Sequence, residues 1–225
     1  MSGAGFRYEP IKGYDAPLVD RLAQYPREPD LFLDSIRGIG RIVTAFLVRL
    51  FFRIEVVGSV PDVPRLALMP NHQSHLDTLA ILAVLPERYR RRITVLAARD
   101  YFFKRSSTAL APALLGQAVA FDREHYTELR RWTAILRGVE KGWFLAFPSG
   151  SRKVKEPHGG LVFVLARSGW PIVPVALGGM REAWPVDRRF PRPFRRVRVV
   201  FGEPVTAPPT KELLDILARF WEEHG

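Results

Sequence analysis

The sequence predicts an α/β fold with a mixed, mostly parallel central sheet of about seven strands, helices on both faces of that sheet and an amphipathic helix before it. Strand-like and helix-like runs alternate along most of the chain. Several strand-like runs are continuously apolar, which is typical of strands covered on both faces. The 225 residues, with an apolar fraction of 47%, suffice for one domain with a sizeable core and a small appendage.

The N-terminal part, residues 1–53, is predicted to be an irregular arm followed by a helix. Residues 1–30 are polar, rich in proline and glycine, and carry no visible secretory signal. From residue 31 on, a helical wheel separates an arginine side from an apolar side, although Ile42, Val48 and Phe52 share the arginine side. The arginines are Arg37, Arg41, Arg49 and Arg53, and the apolar residues are Ile39, Val43, Phe46, Leu47 and Leu50.

This helix is predicted to lie in a lipid interface rather than to cross the bilayer. Ten large apolar residues from Ile36 onward favour insertion by roughly 3–6 kcal/mol, while the interior Arg41 and Arg49 oppose it by about 5–7 kcal/mol. An interfacial helix on the cytoplasmic face of an anionic membrane fits this balance. The alternative is a helix packed on the protein's own core, with its arginines in solvent.

Residues 54–225 are predicted to form the domain that contains the sheet. The predicted strands are Arg53–Gly58, Arg65–Met69, Arg92–Ala98, Gln117–Asp122, Trp143–Phe147, Ile172–Leu177 and Arg195–Phe201. Helical periodicity predicts helices at His75–Leu85, Thr127–Lys141, Gly160–Ser168 and Lys211–Glu223.

Charge and cysteine content narrow the possible chemistry. The chain has no cysteine, which excludes disulfides, thiolate nucleophiles and cysteine-based metal sites. Its formal net charge of +11 indicates an anionic partner, such as nucleic acid, anionic lipid, or phosphorylated substrates and acidic carrier proteins. Seven arginines lie in Arg181–Arg198, interleaved with Trp184, Phe190 and Phe194. This segment is either a docking face for lipid, carrier protein or coenzyme A phosphates, or a solvated loop.

The stretch Met69–Asp77, MPNHQSHLD, follows a strand and opens a helix, where the active-site groups of α/β folds tend to lie. With His72 in the turn and Asp77 in the first helical turn, the carboxylate can reach back to one nitrogen of the imidazole. The other nitrogen is then available to take a proton from a hydroxyl group. Ser74-x-x-Asp77 is also a helix-capping arrangement, so the residues alone leave a purely structural role open.

Two further stretches at strand ends suit a phosphate group. In FPSGSR, residues 147–152, a glycine lies between two hydroxyl residues and an arginine follows, so amides, hydroxyls and a guanidinium are available as donors. In AFDR, residues 120–123, Arg123 is a second candidate ligand. Each stretch by itself favours a plain turn with a solvated arginine over a phosphate site.

Together, four ordered blocks resemble those of the glycerol-3-phosphate and lysophosphatidic acid acyltransferases. The blocks are Asn71-His72-x-x-x-x-Asp77, Phe121-Asp122-Arg123, Phe147-Pro148-Ser149-Gly150-Ser151-Arg152 and Ile172-Val173-Pro174-Val175. The resemblance covers about Val57–Leu177, and its first and third blocks are the specific ones.

The resemblance implies a role for each block. His72 is expected to act as the base on the acceptor hydroxyl, with Asp77 orienting it and Asn71 among the substrate-binding residues. The acceptor phosphate is expected at Arg123 and the loop of Ser149, Gly150, Ser151 and Arg152, with Pro174 helping to shape the site. The donor is expected to be acyl-CoA or acyl-carrier protein, with no cofactor, no metal and no acyl-enzyme.

One position departs from the pattern of that family. Many members carry Glu where this chain has Ser149, although Ser also occurs, including in some members that use glycerol 3-phosphate. The substitution leaves the acceptor open among lysophosphatidic acid, which we expect, glycerol 3-phosphate and other lysolipids.

Two other classes compete with the acyltransferase. One is a non-catalytic basic module binding membrane or nucleic acid, but no helix-turn-helix, zinc or RNA-binding signature is present, and we expect no nucleic-acid partner. The other is a serine hydrolase using Ser149 or Ser151, but the chain has no Gly-x-Ser-x-Gly elbow.

Overall fold

The computed structural model describes residues 31–98, 118–121, 126–149, 157, 159–206 and 209–225. Its strands are β1 (Arg53–Val57), β2 (Arg65–Pro70), β3 (Ile93–Ala98), β4 (Ala118–Phe121), β5 (Gly142–Ala146), β6 (Pro171–Gly178), β7 (Arg196–Phe201) and β8 (Val205–Thr206). Its helices are α1 (Leu31–Phe51), α2 (Leu76–Val84), α3 (Glu87–Arg90), α4 (Tyr126–Gly138), α5 (Gly159–Arg167), α6 (Met180–Ala183) and α7 (Thr210–His224).

One mixed sheet contains all of these strands, in the order β1-β7-β6-β2-β5-β3-β4, with β8 paired to β6. Only the pairings of β6 with β7 and with β8 are antiparallel. The predicted fold class is therefore confirmed. Because β2, β3, β4, β5 and β6 run parallel, their carboxyl ends meet at one edge of the sheet.

Two hydrophobic layers cover the sheet, one on each face. Successive residues of β2 point to opposite layers: Leu66 and Leu68 enter the first, Ala67 and Met69 the second. The first layer contains residues of α1, α2 and α6, and the second contains residues of α4, α5 and α7. Helices therefore lie on both faces, as predicted.

Pro174 lies inside β6, a position that proline normally avoids because it lacks an N–H donor. Its carbonyl accepts a hydrogen bond of 2.9 Å from the Gly202 N–H. Gly202 falls between β7 and β8, so β6 has no ladder partner on that side at residues 173 and 174. The break between the two antiparallel partners therefore accommodates the proline.

The helix α1 packs on the sheet with Arg37 and Arg41 inward, whereas Arg49, like Arg53 just after the helix, is exposed. Ala45, Val48 and Phe52 enter the first hydrophobic layer, and Arg37 is buried with them. The opposite side is exposed along its length, including Ile39, Val43, Phe46, Leu47 and Leu50. The alternative is a helix with its apolar side on the core. The structure shows the opposite orientation, because the apolar side predicted to face lipid is left uncovered. No helix in the described ranges is long and apolar enough to cross a membrane.

Glu87 connects the inward arginines of α1 to α3. Its carboxylate lies 3.1 Å from Arg90, 3.3 Å from Arg91 and 3.8 Å from Arg41, and Arg37 pairs separately with Asp34 at 2.7 Å. Burial lowers the pKa of Arg41 and of Arg90, and the charge of Glu87 partly offsets this. This one acidic group therefore stabilises guanidinium groups that the packing of α1 has removed from water.

We predict that Glu87→Gln destabilises the fold by about 1–3 kcal/mol, because two largely buried guanidinium groups lose their counter-charge. Denaturant unfolding measures the loss. Glu55→Gln is the matched control, since its pair with Arg198 at 3.4 Å is exposed and is expected to contribute less than about 1 kcal/mol. Equal effects of the two variants would show that the buried cluster has no special stabilising role.

Candidate active site

The first motif lies at the edge of the sheet where the parallel strands end. Strand β2 ends at Pro70, and α2 begins at Leu76. Residues 71–75 form the turn between them, which we call the histidine turn. Its neighbours across the sheet are β5, which ends at Ala146, and β6, whose Val175 pairs with Pro70.

His72 and Asp77 contact each other directly. The distance from His72 Nδ1 to Asp77 Oδ2 is 2.7 Å. A carboxylate only accepts hydrogen bonds, so Nδ1 is the donor, and in the neutral ring Nε2 then keeps its lone pair. The His72 side chain is 19% exposed while that of Asp77 is fully buried. The ring is thus accessible in part, and the group that orients it is not.

The same carboxylate oxygen also holds the backbone of the histidine turn. Asp77 Oδ2 accepts hydrogen bonds from the N–H groups of Gln73 at 2.6 Å and Ser74 at 2.9 Å. The Ser74 hydroxyl accepts the Leu76 N–H at 3.1 Å, so Ser74 and Asp77 form a reciprocal cap. The capping interpretation and the catalytic interpretation of these residues are therefore both consistent with the geometry.

Side-chain amides attach the histidine turn to the end of β6. Asn71 Oδ1 accepts the Leu177 N–H at 2.8 Å, and Asn71 Nδ2 donates to the Leu177 carbonyl at 3.2 Å. Gln73 Nε2 donates to that same carbonyl at 2.9 Å. On the opposite face, Trp221 Nε1 of α7 donates to the carbonyl of Met69 at 3.3 Å. Asn71 and Gln73, on either side of His72, are thus fixed to β6, and the end of β2 is fixed to α7.

The FPSGSR stretch begins beside the imidazole. The ring of Phe147 lies 4.2 Å from the ring of His72 between centroids. Two residues later Ser149 is buried, and its hydroxyl has no hydrogen-bond partner within the described ranges. The structure therefore brings the start of the third motif next to the first. Gly150, Ser151 and Arg152 lie outside the described residues.

The remaining predicted site residues lie farther away or outside the described residues. Arg123 is not described, but β4, which ends at Phe121, lies three strand positions from β2, about 14 Å at the usual strand spacing. Pro174 is buried in β6 beside Met69. Its position next to the last residues of β2 supports the strand that leads into the histidine turn.

Sequence reasoning did not single out Gln73, Phe147, Trp184 or Trp221 as site residues. Each contacts the histidine turn or the strand before it, and the partners of Gln73, Trp184 and Trp221 are more than 100 residues away along the chain. No local pattern reports such contacts. Trp184 accepts a hydrogen bond from Ser74 Oγ at 2.5 Å through its carbonyl, and its ring lies 5.7 Å from that of His75.

An imidazole held by a buried carboxylate lies at the carboxyl edge of the parallel part of the sheet, where the active-site groups of α/β enzymes tend to lie. The family model named Acyltransferase matches residues 53–178. The chain belongs to this family and is an acyltransferase.

A solved structure has the same fold. The crystal structure of the 1-acyl-sn-glycerophosphate acyltransferase PlsC from Thermotoga maritima matches with a TM-score of 0.60 and 20% sequence identity, over 85% of this chain and 78% of that one. The search of curated proteins finds no match.

We predict that Asn71→Ala destabilises the protein by about 2–3 kcal/mol, because the buried N–H of Leu177 loses its partner and its carbonyl loses one donor. Thermal or denaturant unfolding measures the change. Gln73→Ala, which removes only a second donor to that carbonyl, should cost about 1 kcal/mol or less. If Gln73→Ala were the more damaging variant, the two-way contact of Asn71 would not be what fixes the turn.

Proposed function

We propose that the protein transfers a fatty acyl group from acyl-CoA or acyl-carrier protein to a hydroxyl of a phosphate-bearing glycerolipid, with lysophosphatidic acid as the first acceptor to test. The observation that carries the proposal is the His72–Asp77 hydrogen bond of 2.7 Å, which leaves Nε2 available as a base. The relative with the same fold is a 1-acyl-sn-glycerophosphate acyltransferase, and the four sequence blocks support the same acceptor class.

The proposed step is a direct transfer. Nε2 of His72 takes the proton from the acceptor hydroxyl as its oxygen attacks the thioester carbonyl carbon. The new C–O bond forms, the C–S bond breaks, and the departing thiolate takes the proton back from the imidazolium. Asp77 stabilises the imidazolium charge through Nδ1–H and keeps the ring in place. The base is thereby regenerated within the same turnover.

The loop that follows Phe147 is the proposed site for the acceptor phosphate. Ser149, Gly150, Ser151 and Arg152 supply hydroxyl, amide and guanidinium donors there, and Arg123 is a second cation. Support comes from the Phe147 ring, which places the start of this loop against His72. Ser149, where many family members have Glu, keeps glycerol 3-phosphate and other lysolipids as alternative acceptors.

We also propose that α1 lies in the interface of an anionic membrane, on its cytoplasmic face. Its uncovered side carries Ile39, Phe46 and Leu50, each more than half exposed. Burial of such side chains in lipid is favourable at roughly 1.5–3 kcal/mol each. Arg37 and Arg41 face the protein, and Arg49 is exposed beside the apolar side, where its charge can meet anionic head groups. A lipid acceptor and its enzyme would then share one surface.

We predict that His72→Ala lowers kcat by about 10²–10⁴ with little change in stability, because the acceptor hydroxyl loses its base. Asp77→Asn should also be severe, since the amide cannot hold the imidazole as the carboxylate does. Initial rates of acyl-CoA consumption with lysophosphatidic acid measure both variants. Near-normal turnover by purified His72→Ala would refute the mechanism.

The acceptor site is tested by Arg152→Ala. We predict that the KM for the phosphate-bearing acceptor rises by roughly tenfold or more, since one charge-assisted contact is worth about 1.5–3 kcal/mol, while the KM for acyl-CoA stays unchanged. Arg219→Ala, on the exposed side of α7, is the control. A panel of lysophosphatidic acid, glycerol 3-phosphate and other lysolipids identifies the acceptor. An effect on the donor alone would place Arg152 outside the phosphate site.

A further inference from the structure

The connection between α6 and β7, residues 184–195, exposes aromatic rings among arginines. We call it the arginine loop. Phe190 is 71% exposed and Phe194 is 64% exposed. Arg188, Arg189 and Arg195 are exposed around them, and the Arg189 guanidinium lies 5.4 Å from the Phe190 ring centroid. Two large apolar side chains exposed this close together are a feature of interaction sites.

Hydrogen bonds fix the backbone of this loop. The positions from which the two rings project are therefore defined by the fold. The Arg192 N–H donates to the Ala183 carbonyl at 2.7 Å, and Trp184 Nε1 donates to the Arg188 carbonyl at 3.1 Å. Phe194 has φ of +61°, a left-handed conformation that bulky residues rarely adopt. Holding a phenylalanine in a conformation suited to glycine or asparagine costs backbone strain, which points to a role for the ring itself.

The arginine loop adjoins the uncovered side of α1. The Phe194 N–H donates to the Phe51 carbonyl at 2.6 Å, at the last residue of that helix, and the Arg53 N–H donates to the Arg195 carbonyl at 3.1 Å. Leu50 and Phe51 are themselves exposed there. The apolar side of α1 therefore continues into Phe194, and the arginines of the loop border it.

We propose that the arginine loop is a second lipid-binding element, which inserts Phe190 and Phe194 among the head groups of an anionic bilayer while its arginines contact the phosphates. The proposal rests on the proposed function in that the bilayer carries the acceptor. Aromatic rings with flanking arginines match an anionic lipid surface in both apolar character and charge. An acidic carrier protein would account for the arginines but not for their continuity with α1.

The base of the loop also contacts the histidine turn. The Trp184 carbonyl accepts the Ser74 hydroxyl, and the Trp184 ring lies against His75. A bilayer bound to the arginine loop would therefore lie near the histidine turn. Such seating positions a membrane-embedded acceptor next to the base.

The test is sedimentation of the full-length protein with vesicles of phosphatidylcholine containing one-third phosphatidylglycerol. Phe190→Ser combined with Phe194→Asn removes both rings while suiting the left-handed backbone, and should weaken binding about tenfold or more. Arg188→Gln combined with Arg189→Gln should weaken it by roughly 30-fold, at about fivefold per arginine, and should leave the weak binding to pure phosphatidylcholine unchanged.

Two reference variants make the result specific. Arg130→Gln combined with Arg219→Gln removes the same charge from α4 and α7 on the opposite face, and should bind as the wild type does. Phe46→Ser combined with Leu50→Ser tests α1 alone. If the α1 variant lost vesicle binding and the arginine-loop variants did not, the proposal would be overturned. The same holds if the arginine-loop variants bound vesicles normally but failed to bind acidic acyl-carrier protein. His72→Ala should bind vesicles normally, so failure of catalysis and failure of docking are separable.

Discussion

One carboxylate oxygen organises the region on which the chemistry depends. Asp77 Oδ2 accepts hydrogen bonds from the His72 ring and from two backbone N–H groups of the histidine turn. Since Asp77 is fully buried in the first turn of α2, this oxygen cannot relax toward water. The conformation of the turn and the tautomer of the imidazole are thus set by the same atom. A structural cap and a catalytic orienting group are here one residue.

The sheet supplies the rigidity that this oxygen needs. Asn71 and Gln73 attach the histidine turn to Leu177 at the end of β6, and Trp221 supports the strand before it. These contacts come from a neighbouring strand and from a helix on one face of the sheet. They hold the imidazole beside Phe147, where the loop of the third motif begins. The proposed base and the proposed phosphate loop are adjacent because β2 and β5 are adjacent.

The elements that the sequence predicts well are those whose apolar and polar residues follow a clear burial pattern. The strands β2 to β6 are recognisable as apolar runs, and β1 and β7 alternate charged and apolar residues, whereas β8, with two residues, is too short to show a pattern. The amphipathic character of α1 is readable from the sequence, but the pairing of its Arg41 with Glu87 is not, because Glu87 lies far along the chain. Likewise His72 and Asp77 are close in sequence, while Leu177, Trp184 and Trp221 reach the turn only through the tertiary fold. The placement of Arg123 and Arg152 remains a prediction.

The hydrogen bond between Asp77 and His72 is tested most directly by ¹⁵N NMR of the histidine side chains in the resting enzyme. The account predicts a neutral His72 ring with its proton on Nδ1, a hydrogen-bonded signal for that proton, and loss of the signal in Asp77→Asn. A ring protonated on Nε2 instead would contradict it, because the nitrogen left for the acceptor would then have no lone pair to take the proton.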